Sequence, residues 1–151
     1  YQCAHCRQMA GTVRDIAQEN PDVRVVVREL PVLGHHSLVA SKVAMLAAQK
    51  GHYASFHHHM MDLPLPLNKK KILTVAHAHA LSDQEVNNGL NGGALDRFVE
   101  VNYRLAEQLK LIGTPAFIVS DVAGKVFYFV PGVISKSALR DLVRKVSAES
   151  S

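Results

Sequence analysis

The residues that could do chemistry stand at the start of the chain, where Cys3 and Cys6 are separated by two residues. They are the only cysteines in a sequence of 151 residues. Two thiols at this spacing can form and break a disulfide reversibly, and the thiolate is the reactive form of cysteine. His5 stands between them and could contribute positive charge or a hydrogen bond to the Cys3 sulfur. The pattern therefore predicts a redox-active pair of cysteines.

A helix should position this pair, because apolar residues recur at helical spacing directly behind Cys3. The residues on this face are Cys6, Met9, Val13, Ile16 and Ala17. Cys3 would then lie at a helix N-terminus, where unpaired N–H groups and the helix dipole favour a negative charge. Such a position can lower a thiol pKa from about 8.5 to roughly 3.5–7.5. We therefore expect a lowered pKa for the Cys3 thiol.

Two other uses of the cysteines are compatible with their spacing. A zinc site usually takes four ligands, and this pair supplies two, so some of the nine histidines would have to complete the site. The run His57-His58-His59 cannot face one metal, because on a helix its members spread over about 200° at about 100° per residue. A purely structural disulfide is less favoured, since so short a loop constrains little of the unfolded chain. No metal ligand and no cofactor is assigned.

Composition limits the class of protein. The length fits one domain, and 48% hydrophobic residues are enough for a core. The net charge of +4 comes from scattered basic residues, and the single run Lys69-Lys70-Lys71 is more typical of a solvated helix start than of a nucleic-acid site. No apolar stretch reaches membrane-spanning length. No signal peptide is visible, but the chain opens inside a motif, and a removed leader would leave the same sequence.

The remaining pattern predicts a strand, a block of helices, a hairpin and a last helix. Residues 22–30, rich in β-branched side chains, predict a strand, and Val25-Val26-Val27 suits a strand covered on both faces. From 37 to 111 the pattern is helical. Five helices are predicted there. The first is capped by Ser37 and stopped by Gly51, the second covers 53–62, the third starts at Asn68, and the fourth starts at a Ser82–Glu85 capping box. The fifth covers 94–109, and its inward side chains are predicted to be Ala94, Phe98, Val101 and Leu105.

The C-terminal part returns to strands after Gly113-Thr114-Pro115. Residues 116–120 and 125–130 predict two antiparallel strands joined by a turn at 122–124. Ser135 or Ser137 is expected to cap a last helix.

These motifs together resemble the thioredoxin fold. The resemblance rests on Cys3-Ala4-His5-Cys6 at a helix start, on Gly113-Thr114-Pro115 before a hairpin, and on the C-terminal helix. The helical block and the run from Arg28 to Gly34 make the chain similar to the DsbA-like thiol:disulfide oxidoreductases of the bacterial envelope, over essentially its whole length. The resemblance implies an α/β fold with a thioredoxin-like core of residues 1–36 and 112–151 and an inserted helical subdomain of residues 37–111.

The resemblance also implies roles for single residues. Cys3 would be the exposed nucleophile, Cys6 its buried partner, and His5 would stabilise the Cys3 thiolate. Thr114 would face the cysteines, and Pro115 would follow a cis peptide bond, with the backbone there binding a substrate chain. The family often has proline where this chain has Ala4, which leaves the redox potential open.

The function implied is that of a dithiol oxidase acting on exported proteins in the periplasm or another extracytoplasmic location. Its partners would be reduced or misoxidised polypeptides and a membrane redox partner, with no nucleic acid and an undetermined oligomeric state. A disulfide isomerase or reductase on the same fold, and a non-catalytic zinc- or peptide-binding module, are the alternatives.

One departure from the family concerns the sheet. The family has a central strand immediately before the two cysteines, whereas only Tyr1 and Gln2 precede Cys3 here. Without that strand, two apolar strands would face each other with unpaired N–H and C=O groups, which are costly when buried. We therefore expect that the first strand is missing from this chain, or that another segment or molecule supplies it.

Overall fold

The structure is a computed structural model that describes residues 1–150, which form seven helices and two strands. The helices are α1 (Ala4–Glu19), α2 (His35–Gln49), α3 (Tyr53–Asp62), α4 (Lys69–Ala78), α5 (Asp83–Asn91), α6 (Ala94–Gln108) and α7 (Lys136–Glu149), and the strands are β1 (Ala116–Ser120) and β2 (Phe127–Pro131). No helix in residues 1–150 has both the length and the apolar character needed to cross a membrane.

The chain divides into two compact units. The unit that we call the cysteine unit comprises residues 3–27 and 111–151, and the helical unit comprises residues 1–2 and 28–110. Compact units need not coincide with the domains of a fold. The predicted division into a core and an inserted subdomain therefore stays a prediction.

In the cysteine unit, α7 packs against both α1 and β1. Each of these helices buries residues two turns apart, Met9 and Ile16 on α1 and Leu139 and Val146 on α7, as expected of an amphipathic helix with one apolar face. Ion pairs join the two helices at the surface, where Lys136 contacts Asp15 and Glu19.

The sheet of the cysteine unit is an antiparallel hairpin in which Ile118 of β1 pairs with Phe129 of β2. The turn between the strands includes Gly124, whose φ of 68° lies in the left-handed region that glycine adopts without steric cost. β2 covers 127–131, and the predicted start at residue 125 was too early. The backbone of Val126 is instead paired with Asp121 within the turn.

The strand predicted over residues 22–30 is absent from the structure. These residues form neither a helix nor a strand, and the three valines at its centre, Val25, Val26 and Val27, are 42%, 61% and 38% exposed. A run of β-branched residues indicates that a segment suits a pleated sheet surface, but a strand also needs a neighbouring strand with which to form backbone hydrogen bonds. The sheet of the described residues consists of β1 and β2 alone, and residues 22–30 pair with neither.

The helical unit is centred on α2, which packs against α3, α4, α5 and α6. Its core includes fully buried apolar side chains from three of these helices: Val43, Phe56, Met60, Ile72 and Val75. Burial of each such side chain contributes roughly 1.5–3 kcal/mol relative to exposure.

Four of the five predicted helix starts in this unit are confirmed, and the start at Ser37 is wrong. Asn68 caps α4, and Ser82 and Glu85 form the capping box of α5. Ser37 does not cap α2, which begins at His35 behind Gly34. Gly34 has a φ of 85°, so the chain turns sharply there and enters the helix earlier than the serine signal indicated.

The buried face of α6 also differs from the prediction. Leu95, Val99 and Asn102 are buried, whereas Val101, predicted inward, is 60% exposed. Apolar residues lie at helical spacing on both sides of this helix, so the period alone could not select the face. The buried face includes an asparagine because its side-chain amide donates a hydrogen bond to the backbone carbonyl of Glu29, at 3.0 Å.

Candidate active site

Cys3 occupies the N-cap of α1, as the sequence predicted. Its backbone is extended while Ala4 already belongs to the helix, and the backbone N–H of Cys6 donates a hydrogen bond to its Sγ atom at 3.1 Å. An N-cap side chain normally accepts such a bond from the third helical residue, and here a sulfur takes the place of the usual oxygen. The helix start therefore holds the Cys3 sulfur next to an N–H donor.

Thr114 lies beside the same sulfur, although it is 111 positions away in the chain. The Cys3 thiol donates to the Thr114 carbonyl oxygen, with Sγ and O 3.5 Å apart. The peptide bond between Thr114 and Pro115 is cis, as the resemblance implied. The carbonyl of Pro115 accepts a hydrogen bond from the N–H of Gly132 at 2.8 Å, which anchors this loop to the end of the hairpin.

The two thiols have opposite pKa shifts. Partial burial of Cys3 opposes its ionisation, but hydrogen bonds from the Cys6 thiol, from the Thr114 side chain and from the Cys6 backbone outweigh it and lower the pKa of Cys3. Burial of Cys6 and its hydrogen bond to Cys3 raise the pKa of Cys6 to about 11. Both cysteines are free thiols in this structure. In the reduced pair, Cys3 is therefore the thiol that ionises first as the pH rises, and Cys6 keeps its proton to higher pH.

His5 and Ala4 are exposed in the first turn of α1. The hydrogen bonds that lower the pKa of Cys3 come from Cys6 and Thr114. The role of His5 in stabilising the thiolate thus stays a prediction.

The sequence analysis missed a polar cluster in the helical unit. The carboxylate of Glu29 is 6% exposed and accepts hydrogen bonds from the hydroxyls of Tyr1 and Tyr53, each at 2.7 Å, and from Ser41 at 2.6 Å. Burial alone would raise the pKa of Glu29, but His57, whose Nδ1 atom lies 3.9 Å from Oε1, and the hydrogen bonds from these hydroxyls lower it. The available signal was an acidic residue, directly after Arg28, within the otherwise apolar stretch from Val25 to Leu30.

The histidines are distributed as ordinary surface and half-buried side chains. Within the run at 57–59, His57 and His58 are half-buried and His59 is exposed. Among residues 1–150, no group of three or more His, Cys, Asp and Glu side chains is arranged to hold a metal ion.

Thiol–disulfide exchange is the chemistry that this arrangement supports. A stabilised Cys3 thiolate attacks or leaves readily, and a neighbouring protonated thiol can close a ring with it. The cis bond at Thr114–Pro115 places an anchored backbone segment next to the reacting sulfur.

Comparison with known proteins agrees with this chemistry. Among solved structures, the chain is similar to a thioredoxin-like oxidoreductase from Silicibacter pomeroyi, with a TM-score of 0.85 and 29% identity over 100% of this chain and 83% of that one. The thiol-disulfide exchange protein alpha-DsbA2 from Wolbachia pipientis is similar with a TM-score of 0.80 and 22% identity, over 96% of this chain and 76% of that one. A periplasmic thioredoxin-like protein from Salmonella enterica serovar Typhimurium is similar with a TM-score of 0.80 and 22% identity, over 98% of this chain and 80% of that one.

No match was found among curated protein sequences. The sequence pattern of the DSBA-like thioredoxin domain matches residues 1–144. Because this match covers nearly the whole chain, and because a cysteine pair opens α1 beside a cis Thr114–Pro115 bond, the chain belongs to the family of DSBA-like thioredoxin domains, thiol–disulfide oxidoreductases with a thioredoxin-like fold.

Proposed function

We propose that the chain acts as a dithiol oxidase, which forms disulfides in exported polypeptides through Cys3 and Cys6. The observation that supports this most is the opposite shift of the two thiol pKa values. A thiolate that is stabilised in the reduced protein makes the reduced form more favourable, and the disulfide form is then the more oxidising one.

The reaction consists of two exchanges. A substrate thiolate attacks Sγ of Cys3 in the Cys3–Cys6 disulfide, the bond between the two cysteines breaks, and Cys6 leaves and takes up a proton. A second substrate thiolate then attacks the substrate sulfur of the mixed disulfide, and Cys3 leaves as a thiolate. The substrate gives up two electrons and its two thiol protons, and the cysteine pair accepts the electrons.

The substrate chain would bind along the backbone at Thr114 and Pro115. This segment lies next to the Cys3 sulfur and is anchored through the Pro115 carbonyl, so its position is fixed before a substrate arrives. His5 would add positive charge on the exposed side of the pair.

Turnover requires an acceptor for the electrons that the cysteine pair collects. We propose a membrane redox partner that reoxidises Cys3 and Cys6, and an extracytoplasmic location, where disulfides persist. The similar protein from Salmonella enterica is described as periplasmic, which supports this location.

The test is a glutathione redox titration combined with two activity assays. A dithiol oxidase should have a potential well above that of a reducing thioredoxin, on the side of the oxidising extreme at roughly −120 mV. It should oxidise a reduced, unfolded multi-cysteine protein faster than it rearranges a scrambled one. Cys3→Ser should abolish both activities. A reducing potential with preferred rearrangement would instead support the isomerase or reductase alternative, and about one zinc per chain, lost in Cys3→Ser, would support the binding-module alternative.

A further inference from the structure

The two residues that lead into Cys3 are held by their own side chains. Tyr1 is 8% exposed, and its hydroxyl donates to Oε1 of Glu29 at 2.7 Å. Its ring also packs edge-to-face on the ring of His57, with the centroids 5.3 Å apart. Tyr1 is therefore fixed through both its ring and its hydroxyl.

Gln2 is fixed through both ends of its side-chain amide. Its Nε2 group donates to the carbonyl of Leu33 at 2.9 Å, and its Oε1 atom accepts from the N–H of Leu67 at 3.3 Å. The partners lie in two segments that are distant from Gln2 and from each other in the chain. The dipeptide before Cys3 is thus tied to the rest of the helical unit by side-chain contacts at several points.

The buried Glu29 carboxylate is a rigid anchor for Tyr1. Oε1 accepts from Tyr1 and Tyr53, and Oε2 accepts from Ser41, so hydroxyl donors from separate parts of the helical unit converge on it. The backbone carbonyl of Glu29 is held by Asn102 as well. A carboxylate fixed from both its side chain and its backbone has little freedom to follow a moving partner.

The proton arrangement at Tyr1 follows from this geometry. The single hydroxyl proton of Tyr1 is directed at Glu29, so the contact of 3.1 Å between the Tyr1 oxygen and Nδ1 of His57 needs its hydrogen on the histidine. Nδ1 of His57 therefore donates to Tyr1, and the tyrosine oxygen both donates and accepts. Tyr1→Phe would remove both hydrogen bonds and keep the buried ring.

Cys3 follows Gln2 by one peptide bond, and its N-cap conformation is sensitive to that connection. An N-cap residue must keep an extended backbone while the next residue enters the helix, and a loosely held preceding segment would let it leave this conformation. Leaving it would break the hydrogen bond from the Cys6 N–H to the Cys3 sulfur.

We propose that Tyr1 and Glu29 are positioning residues for the nucleophile: the buried carboxylate holds Tyr1, and Tyr1 holds the start of α1 in the conformation that places the Cys3 sulfur on its N–H donor. The proposal rests on the proposed function in one respect, that Cys3 is the reacting thiol. It assigns to the Tyr1–Glu29 pair a role in the reactivity of the site, beyond the packing of the helical unit.

The test compares Tyr1→Phe with Tyr53→Phe in the full chain. Each change removes one hydroxyl from the same Glu29 oxygen, and only Tyr1 precedes Cys3 in the chain. The readouts are the pH profile of Cys3 alkylation in the reduced protein and the denaturant midpoint of unfolding. In Tyr1→Phe the profile should move to higher pH by about half a unit, which corresponds to ~3-fold less thiolate below the pKa. In Tyr53→Phe the midpoint should fall while the profile stays in place.

Equal profiles in the two tyrosine variants, whether shifted or unshifted, would overturn the proposal, because the hydroxyls would then act through stability alone or not at all. Gln2→Met provides a second variant if Tyr1→Phe does not fold. It removes the contacts to Leu33 and Leu67 and should move the profile in the same direction, and an unshifted profile would count against the proposal. Alkylation needs no substrate protein, so this comparison can succeed or fail independently of the oxidase assays.

Discussion

At the scale of single residues, the site makes two identical side chains chemically different. At the helix start, Sγ of Cys3 accepts a hydrogen bond from the N–H of Cys6, and the pKa of Cys3 is lowered. Cys6 is more buried, and its pKa is raised. The spacing of the cysteines and the helical pattern behind them predicted the first of these environments from sequence. The contact with Thr114 could not be predicted from local spacing and came only from the resemblance, because no periodicity connects residues 111 positions apart.

Alkylation of the reduced protein should distinguish the two thiols. We expect Cys3 to react at a pH well below that required by a free thiol, because its pKa is lowered. Cys6 should stay largely protected until the pH approaches its raised pKa of about 11. Peptide mass spectrometry after short reactions at a series of pH values measures both rates. Two thiols with one common profile would contradict the assigned roles.

At the scale of elements, the sequence predicted helices better than strands. A helix forms its backbone hydrogen bonds within one segment, and its capping residues are adjacent in the sequence. The Ser82 capping box and the Asn68 cap could therefore be predicted from the sequence. A strand depends on a partner elsewhere in the chain, and residues 22–30 have the composition of a strand without a ladder partner in the described residues. The buried face of α6 was predicted wrongly because the helix buries Asn102, which donates a hydrogen bond to the carbonyl of Glu29, and exposes the neighbouring Val101.

Glu29→Gln should loosen the packing of these elements. The carboxylate joins Tyr1 to Ser41 of α2 and Tyr53 of α3, and an amide cannot accept all three hydroxyl hydrogens. We expect a loss of about 1–3 kcal/mol in the free energy of unfolding at neutral pH, the cost of leaving buried polar groups unpaired. Urea unfolding measures this loss, with Glu107→Gln, a change at an exposed carboxylate, as the matched control.

The loss caused by Glu29→Gln should also depend on pH. The pKa of Glu29 is lowered in the folded protein, so its ionisation contributes stability above the unfolded value of about 4.3, and this contribution disappears as the pH falls through the folded pKa. The difference between the unchanged protein and the variant should therefore shrink on acidification below about pH 4. A difference that is constant with pH would show that the carboxylate charge contributes nothing.

At the scale of the whole molecule, the cysteine unit is built from both ends of the chain. Residues 3–27 carry the nucleophile, residues 111–151 carry the Thr114–Pro115 loop, and the helical residues 28–110 lie between them in sequence. The order of these motifs along the chain, rather than any one of them, made the thioredoxin-like fold recognisable. The Glu29 cluster has no comparable signature, since its members are single residues spread from position 1 to position 57.

The redox state of the cysteines should be linked to the stability of the whole protein. The Cys3–Cys6 disulfide closes so short a loop that it removes little entropy from the unfolded chain. In the reduced protein, the folded state stabilises the Cys3 thiolate, which the oxidised protein lacks. The first effect favours the oxidised form only slightly, and the second favours the reduced form, so near neutral pH the reduced protein should unfold at the higher denaturant concentration.

The size of this stability gap should pass through a maximum as the pH is raised. The lowered pKa of Cys3 contributes stability that is fully present above the unfolded thiol pKa of roughly 8.5 and is lost as the pH falls through the folded pKa. The raised pKa of Cys6 acts in the opposite sense, so the reduced form loses stability as the pH rises from that same unfolded value toward about 11. The gap between the reduced and oxidised forms should therefore be largest near pH 8.5, roughly the pKa of a free thiol. Guanidinium unfolding of both forms over a series of pH values measures the gap, and Cys3→Ser in the reduced state should lose the part that rises with pH. An oxidised form that is more stable by about a kilocalorie per mole at every pH would favour a thioredoxin-like reductase over an oxidase.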